Sequence, residues 1–205
     1  SRDCRRNHYR PDPSSAAPLI LRGYTSAAND GGIGEINGAG YTLWAGTEEH
    51  KGLVDLDLHT LGTGTGITMQ RGHWLVGCKV HKGGSSPNNQ TLVDAGDGTI
   101  IAGCHIYDVG SGTGARAVSG SDKVGVFVLN NHINTGAYGV QQQSGAGWTI
   151  AGNIVTCTAT DCIAIRIVTP GQWSSSSAIV GNILRNTTAG TAAGISSPDN
   201  YGVSV

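Results

Sequence analysis

A six-position pattern of apolar, any, Gly or Asn, Asn or Cys, any, apolar recurs along the chain. It is written IAGCHI at 101–106, VLNNHI at 128–133, IAGNIV at 150–155 and IVGNIL at 179–184. LVGCKV at 75–80 is a fifth copy, and LVDLDL at 53–58 is a degenerate sixth. The fourth position falls at Leu56, Cys78, Cys104, Asn131, Asn153 and Asn182, at spacings of 22, 26, 27, 22 and 29 residues. Repetition at such a spacing means that each repeat is one unit stacked on its neighbours. Another short apolar run accompanies each copy: GITM at 66–69, TLVD at 91–94, AVS at 117–119, GVQ at 139–141, AIRI at 164–167 and GIS at 194–196.

These runs are too short for helices, and no 3.6-residue period extends over ten or more positions. Each repeat therefore reads as a strand, a loop, a second strand, a sharp bend at the Asn or Cys, and a third strand. Apolar residues on both sides of the bend point inward only if the bend takes an unusual backbone conformation. Asn and Gly tolerate positive φ, which suits them to it. Stacked Asn side chains also hydrogen-bond along the stacking axis and satisfy one another inside the core.

Composition narrows the function classes. The chain has 205 residues, 13% of them charged, with a net charge of −1 and a pI near 6.6. That balance gives no bulk attraction to nucleic acid or to an anionic membrane surface. No apolar run is long enough to span a bilayer as a helix. Glycine, at 33 residues, is abundant without the strict third-residue period of collagen. The five Cys do not form paired CxxC metal motifs. Cys157 and Cys162 flank TATD, and either close that loop as a disulfide or remain as two buried thiols.

The [IV]xGNxI…GI pattern resembles the right-handed parallel β-helix of the pectate-lyase-like superfamily, with its internal asparagine ladder. The resemblance covers residues 40–200 approximately, and it is specific for fold rather than function. RGYTSAANDGG at 22–32 is similar to the early coil of phage and bacterial β-helix proteins. The expected architecture is an all-β, single-stranded right-handed parallel β-helix (solenoid) over 19–205, preceded by an arm or truncated upstream segment at 1–18. It would have about seven coils of three strands and an Asn/Cys ladder. The superfamily implies polysaccharide lyases, glycoside hydrolases, phage tailspikes and non-catalytic surface proteins. It thus implies a polysaccharide partner, an extracellular or virion-surface location, and a homo-oligomer, a trimer by analogy with phage spikes.

Stacked coils lie about 4.8 Å apart, so side-chain columns can be read from the repeat alignment. Ile67, Val93, Val118, Val140, Ile165 and Ile195 make an inward column, and Thr68, Asp94, Ser119, Gln141, Arg166 and Ser196 the outward one. Four positions past each inward residue stand Arg71, Asp97, Asp122 and Ser144. Asp97 and Asp122, on adjacent coils, are the candidate catalytic carboxylates, with Arg116 and Lys123 beside them. Carboxylate pairs divide acid and nucleophile or base duties in glycosidases, and Asp clusters also hold calcium. In a lyase, Arg116, Lys123 or Arg166 would serve as base or uronate anchor. Asp94, Gln141, Arg166 and Trp173 are the candidate substrate-binding residues. The competing reading is turn chemistry, since Asp in DAGDG and GSDK accepts local backbone hydrogen bonds. No established catalytic motif of the superfamily lines up residue by residue.

A second outward column holds Asp57, Lys79, His105 and His132, and two residues on come His59, His81, Tyr107 and Asn134. Such a stripe either shares a metal, lines a glycan cleft, or forms a solvated face or subunit contact. The last is the commoner outcome, so no metal ligand is assigned. Trp148, Trp173, Tyr107 and Tyr138 fall in or near loops, where aromatic faces stack on sugars. Two functions follow: a module that binds, and in its enzymatic form cleaves, polysaccharide, or a non-catalytic adhesive solenoid that mediates assembly. NYGVSV at 200–205 reads as a strand of a coil that does not close, which suggests a fragment of a longer polypeptide or a member of an assembly.

Overall fold

The computed structural model describes residues 19–23, 33–37, 49–59, 65–82, 90–168, 177–188, 193–196 and 203–204. The arm at 1–18 and Trp173 lie outside them. The described residues form a parallel β-solenoid without a helix, its strands gathered in three sheets of eight, seven and six. One turn runs Ile100–Ala102 in the first sheet, His105–Val109 in the second and Arg116–Ser121 in the third. All pairing between turns is parallel. There are slightly fewer complete turns than the seven expected. Leu19–Arg22 and Gly34–Asn37 have no described third strand, and Val203–Ser204 pairs alone beyond the last turn.

The hydrophobic columns explain why strands so short hold together. Leu53, Leu75, Ile101, Val128, Ile150 and Ile179 follow one another in register in the first sheet, all buried. Leu58, Val80, Ile106, Ile133 and Val155 do the same in the second. The third sheet stacks Ile67, Val93, Val118, Val140, Ile165 and Ile195, the column expected from the repeats. Burying each such side chain contributes about 1.5–3 kcal/mol, and a strand of three or four residues supplies few other contacts.

The bend between the first and second sheets uses two residues rather than one. Positive φ falls on the third position of the pattern: Asp55, Gly77, Gly103, Asn130, Gly152 and Gly181, with φ of 53–67°. The fourth residue then turns inward without that strain. Asn182, Asn153 and Asn131 stack in one interior line, which Cys104 and Cys78 continue. Asn153 N–H donates to Asn182 Oδ1 at 2.9 Å, and Cys104 N–H donates to Asn131 Oδ1 at 2.9 Å. The thiols of Cys78 and Cys104 are free and point to the carbonyls of Leu53 and Leu75 at 3.5 and 3.4 Å. Hydrogen bonding to Cys78, reinforced by burial, pushes the Cys104 thiol well above the ordinary cysteine range.

Two open points of the sequence resolve here. Cys157 and Cys162 form a disulfide at the corner between Ile154–Cys157 and Ile163–Val168. Trp148, expected on a loop as a sugar platform, is 0% exposed, and its Nε1–H donates to Lys123 O at 2.9 Å. A large ring with one satisfied donor fills the corner before the first sheet.

Candidate functional site

Two outer faces of the solenoid collect polar side chains. On the third sheet, register aligns Thr68, Asp94, Ser119, Gln141, Arg166 and Ser196 across successive turns, the outward column expected. Consecutive buried residues, Leu92–Val93, Ala117–Val118 and Ala164–Ile165, mark a change of side-chain direction within these strands. That change brings Arg116 and Tyr138 to the same outer face. Arg116 Nε–H donates to Gln141 Oε1, and its NH1 to Gly114 O at 2.8 Å. The Arg166 guanidinium lies 4.8 Å from the centre of the Tyr138 ring, a cation–π arrangement. Packed in this row, Gln141 is only 2% exposed.

Asp94 sits at one end of the strip. Burial raises its carboxyl above the usual aspartate value, and the positive charges of Lys123 and Arg116 oppose that rise. The strip therefore carries Arg116, Lys123 and Arg166 against one half-buried carboxylate. Asp94, Gln141, Arg166, Arg116 and Lys123, five of the residues singled out from the sequence, meet here.

Asp97 and Asp122 occupy adjacent turns, but they are not register equivalents. Gly98 N–H donates to Val124 O, and Val124 N–H donates to Asp97 Oδ1 at 2.8 Å, so Asp97 stands opposite Val124. The cause is a longer corner in the second turn. Gly96 and Asp97 span in one turn what Ser121, Asp122, Lys123 and Val124 span in the next. Asp122 has φ of 57° and accepts from Ser121 Oγ at 3.2 Å. Asp97 thus ties two adjacent turns together, and Asp122 serves its own corner. Asp122 and Val124, with Gly145 and Ala146, border an open depression of about 330 Å³.

The second face carries the imidazoles. Register places Asp57, Lys79, His105 and His132 in one column and His59, His81 and Tyr107 in the next. The rings form a continuous row. His59 meets His81 edge-on at 4.0 Å between centroids, and His81 stacks on Tyr107 at 4.5 Å with 10° between planes. Tyr107 is 4.6 Å from His105, which stacks on His132 at 5.0 Å. Asp57 Oδ1 receives His81 Nε2 at 2.9 Å and His59 Nε2 at 3.5 Å. The pitch of the solenoid produces this row: outward side chains of adjacent rungs must lie within ring-contact distance.

Beside the row lies a cavity of about 650 Å³, lined by Lys82, His105, Tyr107, Asp108, Asn134 and Thr158. Lys82 Nζ and His105 Nε2 are buried without hydrogen-bond partners among the described residues. Burial lowers the pKa of Lys82. Burial first, then the neighbouring His132, Lys79 and His81, lowers that of His105. Lys82, Asp108 and Thr158 were not singled out from the sequence. Asp108 carries φ of 56° at a register shift between Ile106 and Val109, an irregularity that the repeat pattern does not encode.

No protein-family model, curated protein or solved structure matches the chain.

Proposed function

We propose that this chain is a polysaccharide-binding β-solenoid of the right-handed, pectate-lyase-like type, acting at an extracellular or virion surface, and that acidic glycan lies along the third sheet. The observation that supports it is the strip of Asp94, Gln141 and Arg166 with Arg116 and Lys123, which runs parallel to the solenoid axis. Its rungs repeat at about the 4.8 Å strand spacing, a pitch on the scale of one sugar ring. Guanidinium groups pair bidentately with carboxylates, so a strip with three cations and one half-buried carboxyl favours uronate-containing chains over neutral ones.

Binding is the part of this reading that the geometry supports best. Cleavage would draw on Asp97, Asp122, Lys123 and Arg116, yet both aspartates already accept hydrogen bonds, Asp97 from Val124 of the next turn and Asp122 from Ser121 beside it. The same observation favours the second reading, a non-catalytic adhesive solenoid working within a homo-oligomer such as a trimer. Affinity electrophoresis through gels containing acidic or neutral polysaccharide tests binding. Unsaturated-product absorbance and reducing-end assays on the same samples test cleavage. Retardation by the acidic gel, lost in Arg116→Ala and Arg166→Ala, is the expected result. Equal migration in every gel would remove the glycan reading and leave the adhesive one.

A further inference from the structure

We propose that Asp57, His59 and His81 form a binding site for a first-row divalent transition ion, with zinc as the preferred occupant. These residues stand on two adjacent rungs, Leu56–His59 and Lys79–His81, and each offers one ligand atom within 4.8 Å of the others. The Asp57 Oδ1 distances to His81 Nε2 and His59 Nε2 are 2.9 and 3.5 Å. An ion bound at about 2.0–2.1 Å by imidazole nitrogen and carboxylate oxygen needs ligand atoms at about that separation, so small rotations complete the geometry.

Three further observations support the site. Glu35 Oε1, one rung earlier, lies 3.8 Å from His59 Nε2 and is placed to supply a fourth ligand. On the far side of the His81 ring, Asp108 Oδ2 lies 4.0 Å from Nδ1, longer than a hydrogen bond but on the side where a carboxylate orients a metal-bound imidazole once it closes in. Tyr107 stacks on that ring and limits its rotation. Two imidazoles and one or two carboxylates suit zinc better than calcium or magnesium, which prefer all-oxygen shells. The ligands come from successive rungs, so an ion here would clamp neighbouring turns and add its binding free energy to stability. This site lies on a different sheet from the glycan strip and does not depend on it.

The test uses the purified chain after chelator treatment, titrated with zinc chloride by calorimetry, with cobalt(II) absorption reporting the coordination. One saturable ion per chain is expected, together with a rise in thermal midpoint. Asp57→Asn and His59→Gln should each weaken uptake roughly tenfold or more, whereas His132→Gln, on the same face but outside the cluster, should bind as the parent does. Retained β-sheet circular dichroism in each variant separates lost binding from lost folding. Should Asp57→Asn fail to fold, His59→Gln carries the comparison, since that side chain is partly exposed. No saturable uptake by the parent chain, or undiminished uptake by His59→Gln, would overturn the assignment and leave Asp57 and its two imidazoles as a plain hydrogen-bonded cluster.

Discussion

Asn153 Oδ1 accepts two hydrogen bonds from Asn131, one from its backbone N–H at 2.9 Å and one from its side-chain Nδ2 at 3.0 Å. Asn153 Nδ2 in turn donates to Val128 O at 2.8 Å and to Asn182 Oδ1 at 2.9 Å. One buried amide thereby joins three turns.

Asn153→Ala removes all four bonds and leaves the Asn131 N–H and the Val128 carbonyl buried without those partners. Each orphaned group costs about 1–3 kcal/mol, so a loss of about 3–5 kcal/mol is expected. Asn182→Ala should cost less, because Asn182 is only half-buried. Urea unfolding followed by circular dichroism gives both values. Equal, small losses would show that the ladder contributes little.

The ladder was legible because a bend that needs a left-handed residue followed by a small inward polar side chain favours Gly-Asn, Asn-Asn or Gly-Cys. The inward column from Ile67 to Ile195 was legible for a similar reason, since a buried β position admits few residues. The corners were not. Aligning Asp97 with Asp122 by counting from Val93 and Val118 ignores the longer span after Gly120, and solvent-facing corners tolerate such insertions at little cost. The burial of Trp148 was not legible either, since it is set by tertiary packing in the corner before the first sheet. The imidazole columns were visible, but their convergence on Asp57 depends on rotamers that spacing does not specify.

The Cys157–Cys162 disulfide closes a short loop between the second and third sheets. Replacing both residues by Ser releases only a small amount of chain entropy on unfolding, so a loss of about 2 kcal/mol is expected. Reductant should lower the unfolding midpoint of the parent chain and leave that of the double variant unchanged. A reductant-insensitive parent would show that the thiols are unpaired in solution.

Asp94 predicts an acid-side effect. Its folded-state pKa is raised above 3.8 by burial, so the folded state holds the proton more tightly than the unfolded one. The contribution to stability is complete below 3.8 and is lost as pH rises through the folded value. Asp94→Asn mimics the protonated side chain and should be at least as stable as the parent at neutral pH, with the difference closing on acidification. Unfolding curves across that range check it. A variant less stable at pH 7 would mean that the attraction of Lys123 and Arg116 outweighs burial.

His105 predicts the opposite slope, in a higher window. Burial first, then the neighbouring His132, Lys79 and His81, lowers its pKa from 6.5, while Asp108 opposes them. Tyr107, whose ring lies tilted against it, stays neutral in this range because burial raises its own pKa. The unfolded chain therefore binds the proton more readily than the folded one. Stability from the neutral imidazole is complete above 6.5 and is lost as pH falls below that value. The row of rings should loosen with it, since charging His105 places a half-buried cation within the stack. His105→Gln removes this proton, so its stability should fall less steeply between neutral pH and pH 5 than that of the parent. Both proteins are compared with chelator present, so that ion binding near His81 does not enter. Parallel stability curves for the two would show that His105 titrates no differently in the folded and unfolded chain.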